Sequence, residues 1–279
     1  MTDKIVVAFS GGRSSAYALK LAMDRYGKEN IIPIFTNTGV ERNETLEFVH
    51  TIQNQWDIPI VWLEYDSSVE CKFKIVDFKT ASRNGQPFEM AIKKNNGCLP
   101  NFYRRFCTAM LKIQPMGKYL NSIGIVEYDK VLGIRADELN RVRKIKANQD
   151  NALFPLVDMG IAKMDVRRFW KEQSFDLQLK DYEGNCTLCF HKSRNIQLTI
   201  LLENPHLAKW WIEQEFATSI NNDNINGGGY TFNNGYSIAQ LLKRAQQGRF
   251  KKAVDALELA EQAPNIDFSD SILGCYCGD

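Results

Sequence analysis

Residues 5–15 read Ile5-Val6-Val7-Ala8-Phe9-Ser10-Gly11-Gly12-Arg13-Ser14-Ser15, and this stretch decides the fold. Five apolar residues in a row are the mark of a strand buried on both faces of a sheet. Ser10 to Gly12 then form a turn with almost no side-chain bulk, and Ser14 to Tyr26 read as a helix. Adjacent glycines let backbone N–H groups converge, and the next helix turns its positive N-terminal end to the same point. A phosphate or pyrophosphate binds that geometry. A plain strand–helix turn with two convenient glycines has the same local sequence.

Outward from this stretch the rhythm continues. Strands are predicted at 5–9, 31–36 and 59–64, with helices at 14–26 and 43–55. That alternation predicts an α/β fold: a parallel, Rossmann-like sheet with helices on both faces. Ligands of such sheets sit at the carboxyl ends of the strands, where Ser10–Gly12 and Asn37–Gly39 both fall. Residues 66–108 read as an irregular, polar excursion over that edge. A helix at 109–121, a strand at 129–133, a short strand at Leu153–Leu156 and a helix at Met164–Glu172 restore the pattern.

After Cys189 the character changes. Asn195–Phe216 read as helical with a break near Pro205, and Ser237–Glu261 as one helix or two meeting near Gly248. The Asn- and Gly-rich run from Asn221 to Gly235 predicts a mobile loop or lid. The expected organisation is a nucleotide-binding domain at 1–195 with a cysteine metal site. A helical extension at 196–279 follows, ending in a cysteine-containing tail.

Among the 279 residues, 35 Lys and Arg stand against 33 Asp and Glu, so no strong global field selects nucleic acid or a membrane. The first strand begins so early that no signal peptide fits before it, and no apolar run approaches a membrane span. These features predict a soluble, cytoplasmic protein with no membrane partner. Seven cysteines in such a protein point to metal or thiol chemistry, not a disulfide framework.

Cys186 and Cys189 are separated by two residues, and Cys98 and Cys107 by eight. Four thiolates from two distant segments suit a [4Fe–4S] cluster or a structural zinc, between which spacing does not decide. Four unrelated buried thiols are the plain alternative. Cys275 and Cys277 lie in the last five residues, where a tethered thiol pair can act as nucleophile and resolving thiol; a frayed end, or a fifth and sixth metal ligand, suits the same residues. Cys71 has no partner in sequence and reads as structural.

Arg13, Arg104, Arg105 and Arg135 are candidates for binding phosphate oxygens in pairs, with Arg104 reading as a surface residue. Asp137 and Glu138 suit Mg²⁺, the orientation of Arg135, or a helix cap. The basic run Arg141, Arg143, Lys144 and Lys146 reads as a solvated face, and Trp210 and Trp211 as helix packing.

As a set, these pieces resemble a known family. Ser-Gly-Gly-x-x-Ser after the first strand resembles the PP-loop of the adenine nucleotide alpha-hydrolase-like superfamily. Asn37-Thr38-Gly39 with Glu41 to Glu47 resembles the corresponding segment of its phosphoadenosine phosphosulfate (PAPS) reductase branch. Arg105-Phe-Cys-Thr108 with Leu111-Lys112 follows in the same order, then Gly133-Ile-Arg135-Ala-Asp-Glu138. Phe154-Pro155-Leu156 with Asp165-Val166 comes next, and Cys186-Thr-Leu-Cys189 closes the series, so the resemblance covers roughly residues 4–195.

The resemblance implies that Ser10, Gly11, Gly12, Arg13, Ser14 and Ser15 hold the phosphates of an adenine nucleotide, ATP or PAPS. It implies that Asn37 and Gly39 contact the nucleoside and that Arg135 neutralises charge in the reaction. Cys98, Cys107, Cys186 and Cys189 would bind a [4Fe–4S] cluster near the nucleotide. The intact Ser10-Gly11-Gly12 favours cleavage of ATP to AMP and pyrophosphate, activating a nucleic acid or small-molecule acceptor for sulfur transfer. Two departures stand against it: Ser14 and Asn37 occupy places where the family carries carboxylates suited to Mg²⁺. The alternatives are a sulfonucleotide reductase that uses Cys277 and a thiol reductant, and a non-catalytic, zinc-stabilised nucleotide- or nucleic-acid-binding protein.

Overall fold

The structure, a computed structural model, describes residues 4–147, 151–184, 186–221 and 230–254. At its centre lie β1 (Ile5–Phe9), β2 (Ile31–Asn37), β3 (Val61–Tyr65), β4 (Phe73–Val76), β5 (Asp129–Leu132) and β6 (Ala152–Leu153). They form a six-stranded sheet in the order β4-β3-β2-β1-β5-β6. Neighbours are parallel except β4, which runs antiparallel to β3. The chain builds from β1 through β2 and β3 to one edge, then returns to the other side of β1 as β5. The strand order therefore reverses between β1 and β5, the place where open α/β sheets leave a crevice for ligands.

Around the sheet run α1 (Arg13–Tyr26), α2 (Asn43–Gln55), α3 (Gln86–Lys94), α4 (Phe106–Thr108), α5 (Gln114–Ser122), α6 (Leu139–Lys146), α7 (Pro155–Asp158) and α8 (Lys163–Lys171). A π turn, Ala109–Ile113, joins α4 to α5. In the C-terminal region lie α9 (Arg194–Glu203), α10 (Ala208–Asn221) and α11 (Ile238–Gln246). The architecture is the α/β, Rossmann-like sheet with a helical C-terminal region that the alternation in the sequence implies.

Strand periodicity divides β1 between two faces. Ile5, Val7 and Phe9 pack with Leu19 of α1, Leu46 and Val49 of α2, and Trp170 of α8. Val6 turns to the other face, with Ile34, Leu63, and Met116 and Leu120 of α5. Both faces are covered, which explains an apolar run without alternation. The indole N–H of Trp170 donates to the Arg13 carbonyl at 2.9 Å, so α8 is tied to the first turn of α1. A second core joins Val40, Phe88, Leu99 and Leu111 to Leu198, Trp211, Phe232 and Leu241. Through it the C-terminal helices close over the end of β2 and over α3.

Two local expectations are corrected. The supposedly irregular segment 66–108 contains β4 and α3. β4 is a four-residue edge strand with Lys74 and an exposed Ile75, too short and polar to stand out in sequence. α3 buries Phe88, Ala91 and Ile92, a helical spacing sustained for barely two turns. Leu153–Leu156 is not one strand, because β6 ends at Leu153 and Pro155 opens α7, the helix position that proline favours.

The described end of the Asn/Gly run, residues 230–235, differs from the expectation of a loop too flexible to pack. Phe232 and Asn233 are buried, and Asn233 Oδ1 accepts from Gln197 Nε2 at 3.1 Å. Residues 222–229 of that run, and the tail with Cys275 and Cys277, lie outside the described residues. Cys71, read as structural, is exposed. Trp211 is buried as helix packing requires. Among the described residues no helix is long and apolar enough to cross a membrane.

Candidate functional site

The turn after β1 is built on Gly11. Its φ is +80°, and a Cβ there would lie 2.7 Å from Thr45 Cγ2 and 3.0 Å from Val49 Cγ2. Conformation and space both demand glycine. The Ser15 hydroxyl closes the turn by donating to the Gly12 carbonyl at 2.9 Å and accepting from Ser10 N–H at 3.3 Å. It also lies 2.8 Å from Ser10 Oγ. Ser15 is fully buried, so it shapes the loop from beneath. The first N–H groups of α1 have no partners within the helix and face the turn with its partial positive charge.

The end of β5 reaches this loop through Gly133. A Cβ on Gly133 would lie 2.4 Å from Ser15 Cα and 2.6 Å from Ser15 N, so the two backbones touch. Arg135 follows, and its Nη1 donates to Ser14 Oγ at 3.2 Å. Its Nε donates to Asp137 Oδ1 at 3.0 Å, and its backbone N–H to Glu138 Oε2 at 3.2 Å. Glu138 Oε1 accepts from Arg141 Nη1 at 2.7 Å. Asp137 and Glu138 thus orient two arginines, a chain linking the loop to α6.

A cavity of about 530 Å³ opens at the β1–β5 reversal, bordered by Ser10 and Thr36. Four cations line it: Arg105, Lys112, Lys130 and Arg141, drawn from the α4 approach, the π turn, β5 and α6. Ala8, Ile34, Met116 and Leu132 supply apolar wall, and among the described residues no carboxylate lines the space. An apolar wall, convergent cations and a helix N-terminus together suit an anionic ligand with a flat, apolar part.

The turn after β2 is arranged differently. Asn37 is fully buried, and its Nδ2 donates to Glu64 Oε1 at 2.6 Å and to the Ser82 carbonyl at 2.8 Å. Its Oδ1 accepts from Gly39 N–H at 3.1 Å. Glu64, also fully buried, accepts from Ser82 N–H at 2.6 Å and pairs with Lys74 at 3.0 Å. An aspartate at position 37 would set two carboxylates face to face, whereas an amide supplies the donor Glu64 needs. The Thr38 N–H and hydroxyl both donate to Glu41. Burial pushes the Glu41 carboxyl above its ordinary range.

Arg13 turns away from the loop. Its guanidinium donates to Asp176 through Nε at 2.7 Å and Nη2 at 2.9 Å, and to the carbonyls of Leu177 and Leu179. It anchors α1 to the 176–181 segment, where Asp181 and Arg167 extend the pairing.

The cysteines are brought together only in part. Cys107 and Cys186 both pack against the second core. Burial pushes the Cys186 thiol up, and the nearby Glu41 and Cys107 raise it further. Burial also raises Cys107. Cys98 Sγ accepts from Arg104 Nη1 at 3.7 Å, and Cys189 is buried. Among the described residues no three His, Cys, Asp or Glu side chains form a metal-binding group. The described cysteines form no four-cysteine group, and no chemical step is derived through a cluster or zinc. Asp137 and Glu138 are likewise engaged by arginines.

Sequence reasoning missed Glu64 and the cavity roles of Lys130 and Lys112, and it took Arg141 for a solvated cation. One signal was available: Arg141 lies three residues beyond Glu138, the spacing at which helical side chains pair. Glu64 carried no local signal.

Residues 4–159 match the phosphoadenosine phosphosulfate reductase domain family. Over 197 residues, 67% of this chain, the sequence is 35% identical to an uncharacterised nin region protein of Escherichia phage lambda. The match covers 66% of the phage protein, just under two thirds of its length. Over 158 residues, 53% of this chain and 28% of the relative, it is 27% identical to an uncharacterised protein of Methanocaldococcus jannaschii.

Proposed function

The chain belongs to the phosphoadenosine phosphosulfate reductase domain family, and on that premise we propose that it is an enzyme that uses ATP to activate an acceptor for sulfur transfer. The observation that carries the reading is the cavity beside the Ser10–Gly12 turn, lined by four cations and, among the described residues, no carboxylate. In this reading the adenine lies on the wall of Ala8, Ile34 and Leu132, while Asn37 and Gly39 shape the turn beside the nucleoside. The phosphates extend toward Ser10, Gly11, Gly12 and Ser14 at the N-terminus of α1. An acceptor oxygen attacks the α-phosphorus, a new P–O bond forms, the α–β bridge breaks and pyrophosphate leaves. Backbone N–H groups of the turn and the Arg135 guanidinium take up the charge of the leaving group. A sulfur nucleophile from a thiol donor then displaces AMP from the activated acceptor.

Titration with a non-hydrolysable ATP analogue and with PAPS, together with an assay of pyrophosphate release, tests this. The analogue is expected to bind, and Arg141→Gln to weaken it by about tenfold, the loss of one charge-assisted contact. Pyrophosphate is expected only when an acceptor is supplied. Rapid release from ATP alone counts against the reading.

The family match itself favours a second reading, reduction of a sulfonucleotide through Cys277 with a thiol reductant. Sulfite release from PAPS that Cys277→Ser abolishes would establish it and displace the first.

A further inference from the structure

The loop that leads into α4 displays rings and cations at the rim of the cavity. Phe102 is 62% exposed and Tyr103 78%, although burying each ring would gain about 2 kcal/mol. The loop is closed: Asn101, itself buried, accepts from the N–H groups of Tyr103 at 3.0 Å and Arg104 at 3.1 Å through Oδ1. Backbone bonds in both directions between Asn101 and Arg104 complete the turn. The two rings therefore project from a fixed base.

They do not stand alone. The Phe102 ring centre lies 5.7 Å from Tyr103 and 5.6 Å from His191, which lies 4.7 Å from Phe190. Arg104 and Arg105 follow directly in sequence, and Arg105 lines the cavity. Residues 90–126 carry six Lys or Arg and no Asp or Glu, in a chain whose net charge is only +2. Across the cavity, α6 contributes Arg141, Arg143, Lys144 and Lys146 and no acid.

We propose that this strip of rings is the docking surface for a single-stranded segment of nucleic acid, whose bases stack on Phe102 and Tyr103 and whose phosphates pair with Arg104 and Arg105. Unpaired bases expose the flat faces that such rings require, whereas a duplex keeps them stacked. A segment without a carboxylate, beside a cavity lined by cations, is matched to a polyanion. Because Arg105 belongs to both strip and cavity, a strand held on the rings is led to the nucleotide site. The proposal deepens the function above by naming the class of acceptor. It rests on that reading for its chemistry, but binding itself does not require it.

Fluorescence anisotropy of the full chain with labelled oligothymidylate and oligouridylate of about 20 nucleotides, and with a duplex of equal length, tests the surface. Single strands are expected to bind at least about tenfold tighter than duplex, with affinity falling steeply between about 50 and about 200 mM salt. The double variant Phe102→Ala/Tyr103→Ala is expected to lose at least about tenfold, while Tyr103→Phe retains binding. Arg104→Gln is expected to weaken binding and flatten the salt dependence. Phe216→Ala, an exposed ring on α10, is expected to change nothing. Either oligomer bound in this way supports the proposal.

No saturable binding, or binding that survives the double variant, overturns it. ATP-analogue binding is measured on the same samples. Oligonucleotide binding without nucleotide binding sinks the proposed function and leaves the surface, and the reverse sinks only the surface.

Discussion

The turns that follow β1 and β2 are made of the same kinds of residue and do opposite things. Ser10-Gly11-Gly12 and Asn37-Thr38-Gly39 each contain a glycine with φ near +80°, at +80° for Gly11 and +81° for Gly39. After β1, the side chains close a small loop from below and leave a helix N-terminus beside a cationic cavity. After β2, the polar groups are taken up within the fold. Asn37 is held by Glu64 and Ser82, Thr38 by Glu41, and the Gly39 carbonyl by Gly85 N–H at 2.9 Å. In the proposed function the β1 turn is the binding end, and the β2 turn, whose polar groups are engaged by the fold, is its buttress.

The sharpest way to break this contrast is to part the β1 turn from β5. Gly133→Ala places a methyl 2.4 Å from Ser15 Cα, and neither backbone can yield without moving the turn. It is expected to destabilise the protein by about 3 kcal/mol or more and to abolish nucleotide binding. Gly117→Ala is the matched control, since nothing lies within 4 Å of its added Cβ on α5. It should be neutral, or stabilising by about 0.5 kcal/mol. Urea unfolding and ATP-analogue titration of both variants decide the matter, and equal behaviour would dissolve the distinction.

The buttress is tested by changing its charge. Asn37→Asp restores the family's carboxylate but sets it against Glu64, whose Oε1 is 2.6 Å from the present amide. A cost of about 3 kcal/mol at neutral pH is expected, the scale of an uncompensated buried charge. It should shrink as pH falls and one carboxyl takes up a proton. Adding Glu64→Gln supplies a donor to the new carboxylate at position 37 and is expected to recover a large part of the loss. Denaturation of both single variants and the double variant forms a cycle. Additive effects would show that the two side chains do not act as a pair.

What could be read from the sequence follows the same division. β1, its glycine turn and α1 are contiguous, so an apolar run, small residues and a helical spacing revealed them together. α2 emerged over its full length because its buried positions, from Thr45 to Ile52, recur with helical period across more than two turns. The parts that stayed hidden depend on distant partners. Glu64 meets Asn37 across 27 positions, and Arg13 meets Asp176 across 163. Arg13 reads as a phosphate ligand from its place in the glycine turn, yet its side chain leaves the turn for the 176–181 segment. The cavity's cations come from four elements, two of which were read as an irregular stretch and a solvated face. Short elements such as β4 and α3 escaped because two turns or four residues carry little periodic signal.

The smallest effect concerns a second buttress, in the helical region. Glu215 of α10 is buried and accepts the N–H groups of Phe232 at 3.2 Å and Ile238 at 2.8 Å. It ties α10 to the start of α11, as Glu64 ties β3 to the turn beyond β2. Glu64 is paired with a lysine, whereas the bonds to Glu215 come from backbone, and burial pushes its carboxyl from 4.5 up to about 7. The folded chain therefore keeps a proton that the unfolded chain releases between those values. Stability is expected to fall as pH rises through that window, by roughly 1 kcal/mol per pH unit, and to level off above it. Glu215→Gln keeps one acceptor and removes the titration, so it should lower stability by a constant amount and flatten this slope. Melting temperatures of both proteins between about pH 5 and about pH 8 give the comparison. Parallel curves would mean that the carboxyl does not hold its proton in the fold, and that the two buttresses share one electrostatic design after all.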